Sequence, residues 1–310
     1  HSKSSPCVSC LRTLEIVSTW QETHGDDLEW LQGGYVFPTY REQDRDALLG
    51  LLPVQRGHGL RVDFVSADVV REIVPGINPQ GLLGGHYSPH DGSASPLLCA
   101  NAFHRRACSL GAEFRFRESV EKIVIQGGRA HGVRTAAGET IPAGVVIDAA
   151  GANAGEFCTR SGLDLPVVAE AHEAGITEPF ARLFTAMVVD IRPAEGSKNF
   201  YFYQSDRGQL VFCITPEPPI LAADRRETST FLPQVAARIV DLMPRLKNLR
   251  VRRTWRGLYP MTPDASPVVG WDCGVEGLFH VAGMCGQGFM LGPGLGEAVA
   301  RAVTGATTEK

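Results

Sequence analysis

The feature that most constrains this chain is a run of glycines near its carboxyl end. Six glycines fall within fourteen residues: Gly283, Gly286, Gly288, Gly292, Gly294 and Gly296. The apolar segment Leu278–Ala282 precedes them and predicts a strand, and Leu295–Val303 has the pattern of a helix. Glycine lets a backbone approach a ligand because it has no Cβ atom, and a helix N-terminus favours negative charge. The run therefore predicts either a ligand-binding loop or an ordinary glycine-rich surface turn.

A nicotinamide-dinucleotide cradle is a third interpretation, and the pattern disfavours it. The glycine spacing does not match GxGxxG, and no strand follows the helix before Lys310 to complete a βαβ unit. The glycines at Gly57-His-Gly59 and Gly127-Gly128 also lack the strand-turn-helix context that such a site needs. An NAD(P)-linked enzyme is therefore the weakest of the three interpretations.

Length and charge exclude several classes of partner. A chain of 310 residues predicts about two domains, and a net charge of -4 provides no basic field for nucleic acid. No apolar run reaches the roughly 18 residues of a membrane span, and residues His1–Cys10 do not have the basic and then apolar pattern of a signal peptide. Of the eight cysteines, Cys7 and Cys10 alone form a CxxC, which lacks a second pair at zinc-ligand spacing. These cysteines predict reduced thiols and a cytoplasmic location.

Local patterns predict helices and strands in a mixed order. The predicted helices are 11–32 with an interruption at Gly25, 41–57 with a break near Pro53, 66–74, 96–110, 153–162, 228–242 and 295–303. Ser66 and Ser95 are the predicted N-caps of two of them, and Gly127-Gly128 is a predicted hairpin turn. The predicted strands are Tyr35–Phe37, Ala112–Arg117, Val120–Ile125, Ala130–Thr135, Glu139–Pro142, the apolar run 144–151, Ala181–Asp190, Phe200–Gln204, Gln209–Thr215, Val251–Leu258 and Leu278–Ala282. Residues 76–92 predict a loop or short hairpin, and 166–257 predict a mostly antiparallel sheet.

Several segments resemble one flavoprotein family. Arg256–Gly270 (RGLYPMTPDASPVVG), Gly277–Gly283 (GLFHVAG) and the glycine run resemble the carboxyl-terminal signature of the D-amino-acid-oxidase-like flavoproteins. That family includes glycine oxidase, sarcosine oxidase, dimethylglycine dehydrogenase and subunits of heteromeric sarcosine oxidases and proline dehydrogenases. Val145–Ala154 and Ile176–Pro179 look like central parts of the same family. The resemblance extends from about Leu11 to Gly305.

The resemblance implies a fold class, a domain division and a cofactor. We expect α/β structure plus an antiparallel sheet (α+β), with an incomplete Rossmann-like FAD domain interleaved with a substrate domain. The FAD-binding domain would comprise residues 1–34, 95–165 and 258–310, and the substrate-binding domain residues 35–94 and 166–257. The residues that the resemblance places at FAD are Val120, Ala149, Ala150, Gly151, Gly257, Gly283, Met284, Gly286, Gln287, Gly288, Phe289 and Met290.

Three residues are candidate catalytic groups, each with a plainer alternative. Tyr259 occupies the position of the family's substrate-binding arginine, and His172 precedes the Ile176–Pro179 strand. Tyr203 lies in the alternating aromatic strand from Phe200, of which one face would line the substrate or pack into a core. His172 would otherwise be an ordinary hydrogen-bonded or exposed histidine. His86, His90 and Asp91 do not have the spacing of zinc ligands, so no metal site is predicted.

The chain also departs from the family pattern. It contains no GxGxxG for the FAD pyrophosphate, so one hypothesis is that the N-terminal cofactor-binding segment is absent from this sequence. Tyr259 replaces the carboxylate-binding arginine, Gly257 replaces the cysteine that tethers flavin in monomeric sarcosine oxidases, and Met290 replaces a lysine. The departures favour the sarcosine-oxidase and dimethylglycine-dehydrogenase side of the family.

Together these features predict a FAD-dependent oxidoreductase. It would oxidise a C–N bond in a secondary amine or amino acid resembling sarcosine, dimethylglycine, proline or glycine, by hydride transfer to flavin N5. Oxygen or an electron-accepting protein would reoxidise the flavin. The alternative is a flavin-poor or non-catalytic subunit of a hetero-oligomeric amine dehydrogenase.

Overall fold

The computed structural model describes residues 6–221 and 223–305. The α-helices of these residues are α1 (Pro6–His24), α2 (Glu42–Gly57), α3 (Ala67–Ile73), α4 (Pro96–Ser109), α5 (Ala154–Arg160), α6 (Phe231–Leu242) and α7 (Gly288–Thr304). The strands are β1 (Tyr35–Thr39), β2 (Asp63–Val65), β3 (Gly84–Ser88), β4 (Val120–Gln126), β5 (Arg129–Thr135), β6 (Thr140–Pro142), β7 (Val146–Asp148), β8 (Val168–Thr177), β9 (Met187–Asp190), β10 (Ser197–Gln204), β11 (Leu210–Pro216), β12 (Val251–Met261), β13 (Val268–Trp271) and β14 (Leu278–Ala282). Within the described residues, no helix combines the length and apolar character of a membrane span.

The chain divides into two compact units, each built from separated segments. Within the described residues, the first unit comprises 6–102, 172–220 and 225–257. The second comprises 103–171, the short stretch around Leu221, and 258–305. The domain boundaries derived from the family resemblance stay a prediction.

The first unit contains most of an eight-stranded sheet with the order β12-β8-β11-β10-β9-β1-β3-β2. On β10, Phe200 and Phe202 are fully buried, while Tyr201 and Tyr203 alternate with them and are partly exposed. Helix α6 adds the buried residue Phe231, whose ring centroid lies 6.0 Å from that of Phe212 on β11. One face of the sheet therefore packs into a continuous apolar core that includes α6.

Polar residues begin two helices of the first unit. The Ser66 side chain accepts a hydrogen bond from the Val69 N–H at the start of α3. The Ser95 side chain accepts one from the Leu98 N–H at the start of α4, where Pro96 is the first helical residue. These caps fix the first turns of both helices, as the sequence predicted.

The second unit contains two three-stranded sheets, β13-β14-β7 and β4-β5-β6. Strands β7 and β14 pair in parallel, so Asp148 lies beside His280. The β4–β5 hairpin turns at Gly127 and Gly128, which both have positive φ, as a tight two-residue hairpin turn requires. The parallel strands place the ends of β7 and β14 at the same sheet edge, where the predicted cofactor segments begin.

The predicted fold class is confirmed: the structure is mixed α/β with several sheets of mostly antiparallel strands. Some element predictions were wrong. Residues 112–117 form no strand, and α2 continues through Pro53, which lies inside it. Helix α7 begins at Gly288 and not at Leu295, so the second half of the glycine run is helical.

Candidate functional site

The predicted flavin loop is short and held by its neighbours in the second unit. It runs from Gly283 to Gln287, between β14 and α7. A Cβ atom at Gly286 would lie 2.4 Å from Cε2 of Tyr259, and Gly286 has φ +82°. The Cys285 N–H donates to the Pro260 carbonyl at 3.0 Å. Glycine is therefore required at 286 by the packing of the loop on β12, independently of any ligand.

Gly288 differs from the other loop glycines. A Cβ atom there would meet only Met284, at an ordinary contact distance of 3.5 Å. Gly288 is also the first residue of α7, which has no acidic residue in its first turn and no side-chain cap from Gln287. The first N–H groups of a helix lack intrahelical acceptors and favour an anionic group. The neighbouring side chains therefore leave this helix end open to a ligand. Phe289 and Met290 beside it are exposed.

Three of the residues that the resemblance places at FAD, namely Val120, Ala149 and Ala150, lie at strand ends of the second unit. Ala149 and Ala150 are exposed and follow β7 directly. The Asp148 side chain accepts a hydrogen bond from the Ala150 N–H at 3.1 Å, which fixes this turn. Val120 begins β4 in the other sheet and is 37% exposed. The structure thus leaves the turn and Val120 accessible, as cofactor-contacting backbone must be.

The three candidate catalytic residues fall in different units. Tyr259 lies in the second unit, with its ring beside Gly286. Tyr203 on β10 and His172 on β8 lie in the first unit, and His172 is buried. Burial raises the pKa of Tyr203, so its hydroxyl is a neutral hydrogen-bond donor at neutral pH. Gly257, the last residue of its segment in the first unit, has no neighbour within 4 Å of a Cβ position.

The first unit contains a cavity of about 680 Å³ on the tyrosine face of its sheet. Tyr203, Val211 and Ile176 form a row across three strands, because Tyr203 pairs with Val211 and Val211 with Ile176. Trp255 on β12 and Ser95 at the start of α4 also line the cavity. The cavity therefore combines an aromatic and apolar floor with a polar helix end.

Two arginines give the cavity its charge. Arg252 and Arg253 line it, and neither side chain makes an ion pair or hydrogen bond within the described part of the chain. The guanidinium carbon of Arg253 lies 5.5 Å from the Trp255 ring centroid. Arg207, a third lining arginine, is paired with Glu29 at 2.7 Å. Two cations without a protein counter-charge make the cavity suitable for a carboxylate.

The sequence analysis missed this constellation, although a signal was present. Arg253, Trp255 and Gly257 alternate along a predicted strand, so they share one face of the sheet. Sequence alone did not reveal that Tyr203, more than forty residues earlier, lines the same cavity. That relation depends on the strand order β12-β8-β11-β10.

Comparison with known proteins gives a consistent result. The family model described as FAD dependent oxidoreductase matches residues 8–302. The chain is 25% identical over 267 residues to hydrogen cyanide synthase subunit HcnC of Pseudomonas protegens, covering 84% of this chain and 60% of that protein. It is 26% identical over 283 residues to sarcosine oxidase subunit beta of Rhizobium meliloti, covering 90% and 66%.

A solved structure shows the same fold. L-proline dehydrogenase from P. horikoshii superposes with a TM-score of 0.89 at 28% identity, covering 97% of this chain and 79% of that one. The chain thus spans 60% to 66% of the length of these two curated relatives.

Proposed function

The chain belongs to the FAD dependent oxidoreductase family, and from that premise we propose that it oxidises the C–N bond of a secondary amine or amino acid. The relatives named sarcosine oxidase subunit beta and L-proline dehydrogenase take such substrates, as their names state. The proposed substrate resembles sarcosine, dimethylglycine, proline or glycine. The acceptor of the electrons, oxygen or a partner protein, belongs to the same proposal, as does a cytoplasmic location.

The observation that carries the proposal is the open helix end at Gly288. Within the described residues, the loop before it is fixed on Pro260 and Tyr259, while the Cβ side of Gly288 meets Met284 alone. A flat ring system fits against such a backbone, and the α7 N-terminus stabilises negative charge on it. FAD, when bound, supplies the acceptor for the hydride that leaves the carbon beside the amine nitrogen.

The cavity of the first unit supplies the proposed substrate recognition. Arg252 and Arg253 would hold the substrate carboxylate, a task that the family's arginine cannot perform here because Tyr259 replaces it. Trp255 and Tyr203 would cover the hydrocarbon part and exclude water. The neutral Tyr203 hydroxyl would donate a hydrogen bond to the substrate. His172, on the same strand as Ile176, remains a proposed catalytic residue.

An absorption spectrum tests the proposal directly. The purified chain is mixed with FAD, desalted and scanned, and we expect flavin bands to remain with the protein. Gly288→Val should lose them, because the added side chain fills the face left for the ring. Gly144→Val is the matched control: Gly144 lies in the same unit, and its Cβ position has no neighbour within 4 Å, so the added side chain has space there.

Three outcomes separate the candidates. Flavin retention with turnover of sarcosine, dimethylglycine, proline, glycine or a D-amino acid supports the proposed oxidoreductase and narrows its substrate. No retention by the unaltered chain supports the alternative, a flavin-poor or non-catalytic subunit of a hetero-oligomer. Equal retention by Gly288→Val and Gly144→Val shows that the flavin ring does not lie at Gly288.

A further inference from the structure

The second unit buries a polar cluster that the proposed oxidation does not use. Asp148 ends β7, Cys158 lies on α5, and His280 lies on β14. Their exposed fractions are 2%, 0% and 5%. One potential ligand atom from each lies within 4.8 Å of the others. A thiol, an imidazole and a carboxylate at such depth form an unusual group, because buried polar side chains normally serve a hydrogen bond, a charge pair or a metal.

The distances within the cluster match a tetrahedral zinc site. Zinc–ligand bonds of about 2.0 Å for N and O and about 2.3 Å for S, at tetrahedral angles, separate N from O by about 3.3 Å and S from O by about 3.5 Å. His280 Nδ1 lies 3.3 Å from Asp148 Oδ2, and Cys158 Sγ lies 3.5 Å from the same oxygen. Two of the three ligand-to-ligand distances thus already match those around one ion, and the third, between Cys158 and His280, is no more than 4.8 Å.

A fourth side chain orients the histidine. His280 Nε2 lies 3.1 Å from Asp272 Oδ2, on the side of the ring away from Asp148. The Asp272 carboxylate is itself fixed by the N–H groups of Gly274 and Val275, both at 2.8 Å. A carboxylate that accepts from the outer nitrogen of a metal-binding histidine sets its tautomer and increases its basicity. Asp272 is therefore placed as a positioning residue, and Nδ1 points to the centre of the cluster.

We propose that Asp148, Cys158 and His280 bind one zinc ion, with Asp272 positioning His280. A mixed O, S and N donor set suits Zn²⁺, which prefers tetrahedral sites of this kind. Zinc binding displaces the proton of the Cys158 thiol and the proton on His280 Nδ1. The two positive charges of the ion therefore replace the charges of two protons. The three side chains leave one coordination position of a tetrahedral ion for a further ligand. This inference does not depend on the proposed function.

The sequence did not predict this site. Asp148 and Cys158 are ten residues apart, and His280 follows Asp148 by 132 residues. No short metal-ligand motif connects them. The parallel pairing of β7 with β14 places His280 beside Asp148, and Cys158 contacts Asp148 from α5. Asp148 precedes the Ala149–Gly151 turn and His280 lies shortly before Gly283, so the ion would join the two strands that lead into both predicted cofactor segments.

Metal analysis of the whole chain is the first test. The protein is treated with EDTA, desalted, mixed with zinc chloride, desalted again and analysed by mass spectrometry of the metal. We expect about one zinc per chain. Cys158→Ser and Asp148→Asn should lose it, whereas Cys273→Ser, which removes an exposed thiol from the same unit, should retain it. Asp272→Asn should weaken zinc binding about 10- to 100-fold without abolishing it.

A second measurement on the unaltered chain guards against variants that do not fold. Cobalt chloride replaces zinc chloride, and a thiolate ligand in a tetrahedral site gives an intense thiolate-to-cobalt band that zinc then displaces. The proposal is overturned if the chain retains no zinc and shows no such band. The cluster is then a hydrogen-bonded imidazolium, a state in which the hydrogen bond to Asp148 raises the pKa of His280 to about 10. Zinc retained equally by Cys158→Ser and Asp148→Asn also overturns it.

Discussion

The two units bury their side chains in different ways. The largest apolar cluster among the described residues lies wholly in the first unit and joins β9–β11 to α6 through residues such as Phe200, Phe212 and Phe231. In the second unit the apolar residues divide into smaller clusters, one of which consists of Phe279, Leu295 and Val299. The second unit also buries the polar cluster of Asp148, Cys158 and His280. The first unit therefore has one continuous apolar core, and the second has several smaller ones beside this polar cluster.

The difference matches what each unit is proposed to do. A sheet with one continuous core can present a rigid opposite face, and here that face forms the cavity lined by Tyr203 and Trp255. Short strands that end at glycine-rich turns present backbone, which a cofactor needs, but they bury less apolar area. Polar contacts then have to fix the ends of the strands, as Asp148 does for Ala150.

Core truncation provides the largest expected contrast. Phe212→Ala removes a ring that is 1% exposed from the continuous core, and we expect a loss of about 3–5 kcal/mol of stability. Leu295→Ala removes a smaller side chain from a small cluster, and we expect about 2–3 kcal/mol, the low end for such changes. Urea unfolding, with hydrogen exchange to assign the loss to a unit, measures both. Equal losses would remove the contrast between the cores.

The pH dependence of stability provides a second test of the same core, through a buried thiol. Burial raises the pKa of Cys213, on β11, to about 11, above an ordinary value near 9. Between pH 9 and pH 11 the unfolded chain loses the thiol proton and the folded chain keeps it. The contribution of the Cys213 thiol to the free energy of unfolding is therefore complete below pH 9 and is lost as pH rises towards 11. The urea midpoint of Cys213→Ala should therefore fall less between pH 8 and pH 10.5 than that of the unaltered chain. Cys273→Ala, at an exposed thiol, should match the unaltered chain.

Substrate recognition gives a contrast within the first unit. Arg253→Gln removes a cation that has no counter-charge among the described residues, and we expect KM for a carboxylate substrate to rise about 10- to 100-fold, the worth of one charge-assisted hydrogen bond. Arg207→Gln is the control, because Arg207 is already paired with Glu29. A similar KM change in both variants would place the carboxylate elsewhere.

Sequence reasoning recovered those parts of the fold that local pattern determines. Ser66 and Ser95 begin helices as predicted, and the Gly127-Gly128 turn closes its hairpin. It failed where tertiary packing overrides local preference. Pro53 lies in the last turns of α2 without ending it, and the glycines after Gly288 are helical because α7 packs Leu291 and Leu295 into the unit.

Only those parts of the candidate site whose residues are consecutive in the sequence could be predicted. The glycine run and the turn after Asp148 were found because their residues are consecutive. The arginine cavity and the Asp148–Cys158–His280 cluster were not found, since each is assembled by pairing of strands distant in sequence. His280 within the apolar run Leu278–Ala282 and Asp148 within the apolar run 144–151 were visible signs, because an interior strand position rarely holds an ionisable side chain.

Helix caps give the smallest expected effect, and the comparison is between the start of α3 in the first unit and the start of α7 in the second. Ser66→Ala removes the acceptor for the Val69 N–H at the start of α3. We expect the loss of this cap to lower the free energy of unfolding of the first unit by about 1 kcal/mol. Gln287→Ala should leave the stability of the second unit almost unchanged, because Gln287 makes no side-chain cap for α7. Urea unfolding without added FAD measures both variants. A clear loss for Gln287→Ala would show that the α7 N-terminus is satisfied by the protein itself, and it would remove the argument that this helix end is kept for an anionic ligand.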